Sequence, residues 1–263
     1  KGPSQQFCHV QKTDGSVDSM KENPYDNAVF FQKYSQMDRS KKGLGAAGEW
    51  QTLKGVLPDF TAKRVLDLGC GYGWHCEYAA QHGAAQVTGV DLSKRMLEVA
   101  QAQHSAPQVT YLRQAIEDVS FADASFDIVL SSLALHYIAD YAAVVRSVRR
   151  MLTPGGWFVF SAEHPVFTAQ GSQDWVYGED GAIDHFPVDN YYIEGKRQAV
   201  FLGETVTKYH RTLTTYLETL LLNGFALRHV KEPQPPQEMI ETTPGMADEL
   251  RRPMMLIVAA QKM

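Results

Sequence analysis

A glycine-rich turn is the clearest chemical signal in this 263-residue sequence. Residues 67–73 read DLGCGYG, directly after an apolar run that is typical of a strand and directly before a helical pattern. Glycines at such a turn allow positive φ angles and a close approach of ligand to backbone, and the following helix offers unpaired N–H groups. Gly69 and Gly71 therefore predict a site for a nucleotide-like ligand.

A carboxylate at the end of the next predicted strand suits the same ligand. Asp91 lies 22 residues after Gly69 and closes the run VTGVD. At this position a carboxylate can accept hydrogen bonds from both hydroxyls of a ribose, and we predict that role for Asp91. The alternative is an exposed loop residue. Asp67 is predicted to orient the loop or the cofactor's amino group, or else to bond only its own turn.

Other cofactor and metal motifs are absent from the sequence. The dinucleotide fingerprint G-x-G-x-x-G needs a glycine where this chain has Trp74, which disfavours a nicotinamide-dependent oxidoreductase. No phosphate loop ending in Gly-Lys-Ser/Thr occurs. The histidines show no H-x-x-x-H spacing, so we predict that no metal is used.

Three polar residues near predicted strand ends are candidates for catalysis or substrate binding. His136 follows the fourth strand and is predicted as a general base or a substrate contact, with a packed, satisfied histidine as the alternative. Glu163 and His164 end the fifth strand, at the edge where open α/β sheets place their ligands. We expect both in a substrate pocket, with His164 as a second candidate for proton transfer.

An aromatic-rich stretch and two further residues complete the candidates. Trp175, Tyr177, Tyr191 and Tyr192 predict either an aromatic wall around a flat or cationic substrate or the core of an insertion. His210, next to Arg211, is a candidate for binding a substrate carboxylate or for a surface ionic role. Tyr34, in an N-terminal helical pattern, is predicted to contact the cofactor or else to pack on the sheet.

The elements that must position these residues alternate in type. Short apolar runs separated by helix-length segments predict a parallel sheet covered on both faces. The runs are RVLDL, VTGVD, VTYLR, FDIVLSS and GWFVFSA. We expect a leader or flexible tail at 1–19, a single domain at 20–263, and a lid or substrate insertion at 163–208.

Composition narrows the classes of partner. With 25 Lys and Arg against 30 Asp and Glu, the net charge of -5 gives no basic stripe for nucleic acid. Three cysteines (Cys8, Cys70 and Cys76) match no disulfide or metal framework, which predicts free thiols and a cytoplasmic location. No run approaches the roughly 18 apolar residues of a membrane helix, so we expect a protein that does not enter membranes.

Four stretches together resemble the ordered motifs of class I S-adenosylmethionine-dependent methyltransferases, and most closely their small-molecule group, which includes the ubiquinone and menaquinone biosynthetic enzymes. These stretches are VLDLGCGYGWH, VTGVDLSKRMLEVA, IEDVSFADASFDIVLSSLALHYI and LTPGGWFVFS. The resemblance covers roughly residues 60–162. It implies a Rossmann-like, doubly wound sheet of seven mostly parallel strands whose last two, ALRHVKEP and PMMLIVAAQ, form an antiparallel hairpin.

The resemblance also implies roles for individual residues. Gly69 and Gly71 face the methionine part of the cofactor, Asp91 the ribose, Leu92 and Met96 the adenine, and Ser131 and Leu133 the sulfonium. Ala115 stands where the family commonly has an Asp that contacts the adenine amino group. The backbone N–H of Ile116, and Glu117 or Gln114, are the expected replacements.

The implied function is methyl transfer from S-adenosylmethionine to an O, N or C nucleophile of a small molecule, by in-line displacement that releases S-adenosylhomocysteine. The alternative is a protein that binds S-adenosylmethionine as a sensor or regulator without transferring methyl groups. The sequence sets neither the identity of the methyl acceptor nor the oligomeric state.

Overall fold

The computed structural model describes residue 21 and residues 23–263, so the predicted leader and Cys8 lie outside the described residues. The strands are β1 (Arg64–Leu68), β2 (Gln86–Asp91), β3 (Val109–Arg113), β4 (Phe126–Ser132), β5 (Leu152–Glu163), β6 (Val176–Tyr177), β7 (Ile183–His185), β8 (Gly195–Phe201), β9 (Glu204–His210), β10 (Phe225–Lys231) and β11 (Met255–Lys262). The α-helices are α1 (Ala28–Ser35), α2 (Asp38–Lys42), α3 (Trp50–Lys54), α4 (Trp74–Gln81), α5 (Lys94–Gln103), α6 (Tyr141–Met151), α7 (Pro165–Thr168), α8 (Leu213–Leu222) and α9 (Gln237–Thr242).

Seven strands form one sheet in the order β10-β11-β5-β4-β1-β2-β3. The pairs from β5 through β4, β1 and β2 to β3 are parallel, whereas β11 runs antiparallel to both β5 and β10. The predicted doubly wound sheet with an antiparallel last hairpin is therefore confirmed.

Both faces of the sheet are buried, which explains the continuous apolar character of the central strands. Successive side chains of a strand point to opposite faces. Val65 accordingly packs in the cluster that includes Ala79 of α4, while Leu66 packs in the cluster that includes Val145 of α6. At the start of α5, the hydroxyl of Ser93 accepts a hydrogen bond from the Met96 N–H, as an N-cap does.

The chain reverses its direction across the sheet between β1 and β4. From β1 it proceeds outward to β2 and β3, and it then returns to place β4 on the other side of β1. In open α/β sheets the ligand crevice lies at the carboxyl ends of the strands at this switch point. The loops after β1, β2 and β4 therefore meet at one edge.

Two additions cover this edge. The stretch 163–208 contains α7, the β6–β7 pair, β8 and most of β9, and β8 and β9 form an antiparallel hairpin. Phe30 of α1 packs with Ala199 and Val206 of that hairpin in a small buried cluster. The N-terminal helix and the insertion thus hold each other over the sheet.

Within the described residues, no helix is both long enough and apolar enough to cross a lipid bilayer.

Candidate functional site

The glycine loop after β1 adopts the backbone that its sequence predicts. Gly69 and Gly71 have φ angles of 75° and 52°, in the left-handed region. A Cβ atom on Gly69 would lie 2.5 Å from the Cβ of Ala134, so the loop packs directly against the segment that follows β4. A Cβ on Gly71 would meet no protein atom within 4 Å, and Gly71 lines the largest cavity at this edge. The loop therefore leaves open space beside its backbone.

Asp91 points from the end of β2 into the same cavity. Its Oδ2 accepts a hydrogen bond from the Gly71 N–H at 2.9 Å, and its Oδ1 accepts one from the Ser93 N–H at 2.8 Å. Burial raises the pKa of this carboxyl, and the two backbone N–H groups oppose that shift. Each carboxylate oxygen retains a second lone pair, so Asp91 can accept two further hydrogen bonds, as a ribose diol requires.

The predicted adenine contacts lie on one side of the cavity. The lining there is formed by Leu92, Met96, Ala115, Ile116 and Glu117. The first two carry apolar side chains from the loop and helix after β2, while the last three follow β3. Both segments therefore reach the same pocket, and Glu117 brings a carboxylate close to the position where the family commonly has an Asp.

The segment before α1 is fastened next to this side of the cavity. Asp26 accepts hydrogen bonds from the Ser93 hydroxyl at 2.7 Å and the Arg95 N–H at 3.1 Å, and it pairs with Arg113 at 3.3 Å. These contacts bring Tyr25 and Tyr34 into the lining, with their ring centroids 5.2 Å apart. Tyr34 therefore lies at the cavity, where it could contact a ligand.

The far end of the cavity contains a buried polar cluster. Glu163 Oε1 lies 2.6 Å from Lys208 Nζ, which also donates to Gln173 Oε1 at 2.8 Å. Gln173 returns a hydrogen bond from its Nε2 to Glu163 Oε2 at 2.6 Å. Burial opposes the charge of Glu163, yet its neighbours, among them Lys208, hold its pKa below the usual value. The result is a paired carboxylate and ammonium beside the cavity.

His136 completes this cluster from the turn after β4. Its Nδ1 accepts the backbone N–H of Glu163 at 3.4 Å, and its Nε2 lies 3.9 Å from Glu163 Oε1. Burial lowers the pKa of His136 to about 4, so the ring is neutral at physiological pH. The structure therefore brings His136 and Glu163 together, as two candidates at the same end of one cavity.

Lys208, Gln173, Phe201 and Arg39 also belong to the site or its polar cluster, and sequence reasoning missed them. One structural signal points to Lys208. Val206, Lys208 and His210 lie at every second position of β9, on one face of the strand, and all three are buried. A lysine in register with buried neighbours on one strand face is unusual, since lysine is rarely buried without a partner. Arg39 lies in the lining and donates to Glu49 at 3.0 Å.

Ser131, predicted beside the sulfonium, lies behind the cavity wall instead, whereas Asp67 lies under the loop that it is predicted to orient. The Ser131 hydroxyl donates to the backbone oxygen of Leu68 at 2.9 Å, and Ser132 and Leu133 line the cavity in its place. Asp67 is buried under the glycine loop, where its Oδ1 has no hydrogen-bond partner among the described residues. Burial raises the pKa of Asp67 to about 7.

The structure also corrects the expected positions of two histidines, which lie outside the lining. His164 Nδ1 accepts the Val166 N–H at 3.1 Å and so caps α7, while its Nε2 is 2.9 Å from Glu232. His210 is fully buried, with Thr168 Oγ1 2.7 Å from one ring nitrogen and the Tyr191 backbone oxygen 2.8 Å from the other. His164 therefore serves as the cap of α7, and both ring nitrogens of His210 are occupied by residues of the insertion.

The four aromatic residues predicted to form a wall, Trp175, Tyr177, Tyr191 and Tyr192, do not line the cavity. Trp175 packs edge-on against Phe186 at 5.2 Å and beside the Arg252 guanidinium at 4.9 Å. The Tyr191 hydroxyl accepts the N–H of Leu213 at the start of α8, and Tyr192 is 89% exposed. Of the two alternatives, the structure favours packing within the insertion for Trp175 and Tyr191.

Comparison with known proteins decides the family. A family model described as a methyltransferase domain matches residues 66–160. An S-adenosylmethionine-dependent methyltransferase from Mesorhizobium loti shares 43% identity over 84% of this chain and 100% of its own, with a TM-score of 0.78. A Listeria monocytogenes structure assigned to the same class shares 54% identity over 84% of this chain and 99% of its own, with a TM-score of 0.80.

The chain is an S-adenosylmethionine-dependent methyltransferase. A curated relative, the ubiquinone biosynthesis O-methyltransferase of Neisseria meningitidis, is 31% identical over 54% of this chain and 72% of its own length. The predictions of the family, of an enzyme and of S-adenosylmethionine as cofactor are confirmed. The methyltransferase presents what this cofactor needs: open space beside Gly71 and two free acceptor positions on Asp91.

Proposed function

We propose that this methyltransferase modifies a small molecule that binds at the His136 end of the cavity. The supporting observation is that one cavity of about 260 Å³ runs from Gly71 and Asp91 to His136, Glu163 and Lys208. Because a single chamber joins both ends, two reactants bound there can meet end to end. The Neisseria relative is named as an O-methyltransferase, which supports oxygen among the O, N and C acceptors.

The chain's own residues have separate tasks in this proposal. The Gly69–Gly71 backbone and the Arg39 guanidinium hold the methionine end of the cofactor, Asp91 the ribose, and Leu92 and Met96 the adenine. When bound, S-adenosylmethionine supplies a methyl group on a positively charged sulfur, which is a good leaving group. The main contribution of the protein is then to hold the two reactants close together and in line.

The insertion supplies the wall of the acceptor end. Phe201 and Lys208, in the β8–β9 hairpin, line the cavity, and Gln173 fixes Lys208 from behind. We propose on this basis that 20–263 acts as one domain in which 163–208 is the substrate-binding insertion. Its contact with α1 through Phe30 closes the cavity from above.

Methyl-labelled S-adenosylmethionine tests the proposal. The purified protein is incubated with the label and a size-filtered metabolite extract, and the products are separated by mass spectrometry. We expect S-adenosylhomocysteine and a labelled small molecule, both lost in Asp91→Ala and retained in the control Asp123→Asn, whose side chain pairs with Arg150 away from the cavity. The macromolecular fraction of the same extract is assayed in parallel, and label that enters only protein or nucleic acid of that fraction would contradict a small-molecule acceptor.

A further inference from the structure

His136 reaches the acceptor end as a hydrogen-bond donor. Its Nδ1 accepts the Glu163 N–H, so that nitrogen carries no proton. A neutral imidazole has a single N–H, which must then be on Nε2. Glu163 Oε1, at 3.9 Å from Nε2, is too far away to accept it. Among the described residues this N–H has no hydrogen-bond partner, and of the two roles predicted for His136 the geometry favours substrate contact.

Lys208 offers a second donor beside the first. Its side chain is only 4% exposed, and two of its three N–H groups are directed at Glu163 and Gln173. The described residues supply no hydrogen-bond acceptor for the third, and Nζ lies 5.6 Å from the centre of the Phe201 ring. Because Lys208 lines the cavity, its remaining N–H is available to a ligand.

The cluster has no effective proton acceptor at neutral pH. Both oxygens of Glu163 already accept charge-assisted or amide hydrogen bonds, and its pKa lies below the usual value. His136, which also offers a lone pair at this end, has a pKa of about 4. A general base works best when its pKa is near the working pH. An acceptor that arrives already ionised needs no such base.

We propose that the methyl acceptor carries an acidic oxygen, a carboxylate or an acidic phenol, which is bound as an anion between Lys208 Nζ and His136 Nε2. This inference rests on the proposed function. The acceptor oxygen supplies the electron pair of the new C–O bond, the bond from the methyl carbon to sulfur breaks with its electrons going to sulfur, and no proton moves. The nearby lining is apolar and suits an apolar body: Leu133, Ala134, Ile138, Phe201, Met254 and Met255.

A matched series of ligands tests the inference. Protein saturated with S-adenosylhomocysteine is titrated by calorimetry with benzoate, benzamide and benzylamine, which share a ring and differ in the charge of the head group. We expect benzoate to bind at least about tenfold more tightly than the other two, the effect of one charge-assisted hydrogen bond. In the double variant Lys208→Met with Glu163→Gln, the preference for benzoate should disappear while the affinity for S-adenosylhomocysteine stays the same.

Both charges are removed together because Lys208→Met alone leaves a buried, unpaired Glu163, which costs folding stability. Equal binding of the three ligands, tighter binding of benzylamine, or no binding of benzoate to the wild type would overturn the inference. These outcomes need no variant, so they decide the matter even if the double variant fails to fold. Failure to bind S-adenosylhomocysteine would instead count against the proposed function.

Discussion

The carboxylate of Asp91, at the end of β2, accepts a hydrogen bond from the backbone N–H of Gly71 in the loop after β1. Its other oxygen accepts the N–H of Ser93, where α5 begins. One side chain therefore ties the glycine loop to the neighbouring helix while it faces the cavity. Asp91, the proposed contact to the ribose, therefore also stabilises the conformation of the loop.

Replacement of Asp91 should weaken cofactor binding strongly. Asp91→Ala removes both the proposed ribose contacts and the bond to Gly71, and we expect an affinity for S-adenosylhomocysteine about 100-fold lower, from loss of about 3 kcal/mol. Asp91→Asn keeps one acceptor oxygen and should lie between this variant and the wild type. Calorimetry gives both values, and an unchanged affinity in Asp91→Ala would refute the ribose assignment.

Gly69 should not tolerate a side chain. In Gly69→Ala the new Cβ meets Ala134 at 2.5 Å from a backbone at φ 75°. Strain and overpacking should lower the free energy of unfolding by about 2–4 kcal/mol. Gly45→Ala is the control, because a Cβ there meets nothing within 4 Å, and its stability should change by less than about 0.5 kcal/mol. Urea unfolding compares them, and equal effects would contradict the tight contact.

Asp67 should make stability depend on pH. Its folded pKa of about 7 exceeds the usual value of 3.8, so between these two pH values the native state holds a proton that the unfolded state has released. The contribution of Asp67 to the free energy of unfolding is fully present below about pH 4 and is lost as the pH rises through about 7. Asp67→Asn should therefore gain stability relative to the wild type between pH 5 and pH 8, by at most about 3 kcal/mol.

Asp127→Asn is the control when unfolding is measured as a function of pH, because folding shifts the pKa of Asp127 in the opposite direction. The hydrogen bonds from Arg64 hold the pKa of Asp127 below its usual range, so its contribution is present above the unfolded pKa and is lost only as pH falls through the lower folded value. Its stability deficit should stay constant between pH 5 and pH 8. A constant difference for Asp67→Asn as well would show that Asp67 does not titrate in this window.

Two substitutions of His136 test whether this residue donates a hydrogen bond to the substrate or acts as a general base. Glutamine supplies an N–H near the position of Nε2 but cannot act as a base at neutral pH. With the acceptor identified by labelling, kcat/KM should fall about 10- to 100-fold in His136→Ala and much less in His136→Gln. The wild-type profile should show no titration of His136 above pH 5, because its pKa is about 4. A rate that rises through neutral pH and is lost in both variants would identify a base.

The contacts of Asp26 should hold the segment before α1 in place. Asp26→Ala removes its bonds to Ser93, Arg95 and Arg113, and we expect faster amide hydrogen exchange in residues 23–35. The control is Asp38→Ala, which breaks only an exposed pair with Lys42 and should leave exchange there unchanged. Equal exchange in the two variants would mean that other contacts hold the segment.

The sequence predicts the sheet and the cofactor end well because both depend on short-range rules. Apolar runs that alternate with helix-length segments, and strand-to-helix turns, place Gly69, Gly71 and Asp91 at one edge without knowledge of distant contacts. Ala115 and Glu117 follow from the resemblance to the family, whose ordered motifs imply their place after β3. The structure brings all five to the lining of one cavity.

The acceptor end is harder to predict because its contacts join residues far apart in the chain. Lys208 meets Gln173 across 35 residues and Glu163 across 45, and no local pattern encodes those pairs. The amino-acid composition also does not show where a side chain points. Trp175 and Tyr192 are both aromatic residues of the insertion, yet Trp175 packs against Phe186 and Tyr192 is exposed.

The contact of Phe30 with Ala199 and Val206 joins α1 to the β8–β9 hairpin. The floor of the cavity, from Gly69 to Asp91, comes from the sheet, whereas the helix and hairpin that meet at Phe30 form the roof. Redesign can therefore proceed by exchange of the hairpin alone. A chimera with another hairpin in place of β8 and β9 should accept a new methyl acceptor while it keeps the same methyl donor.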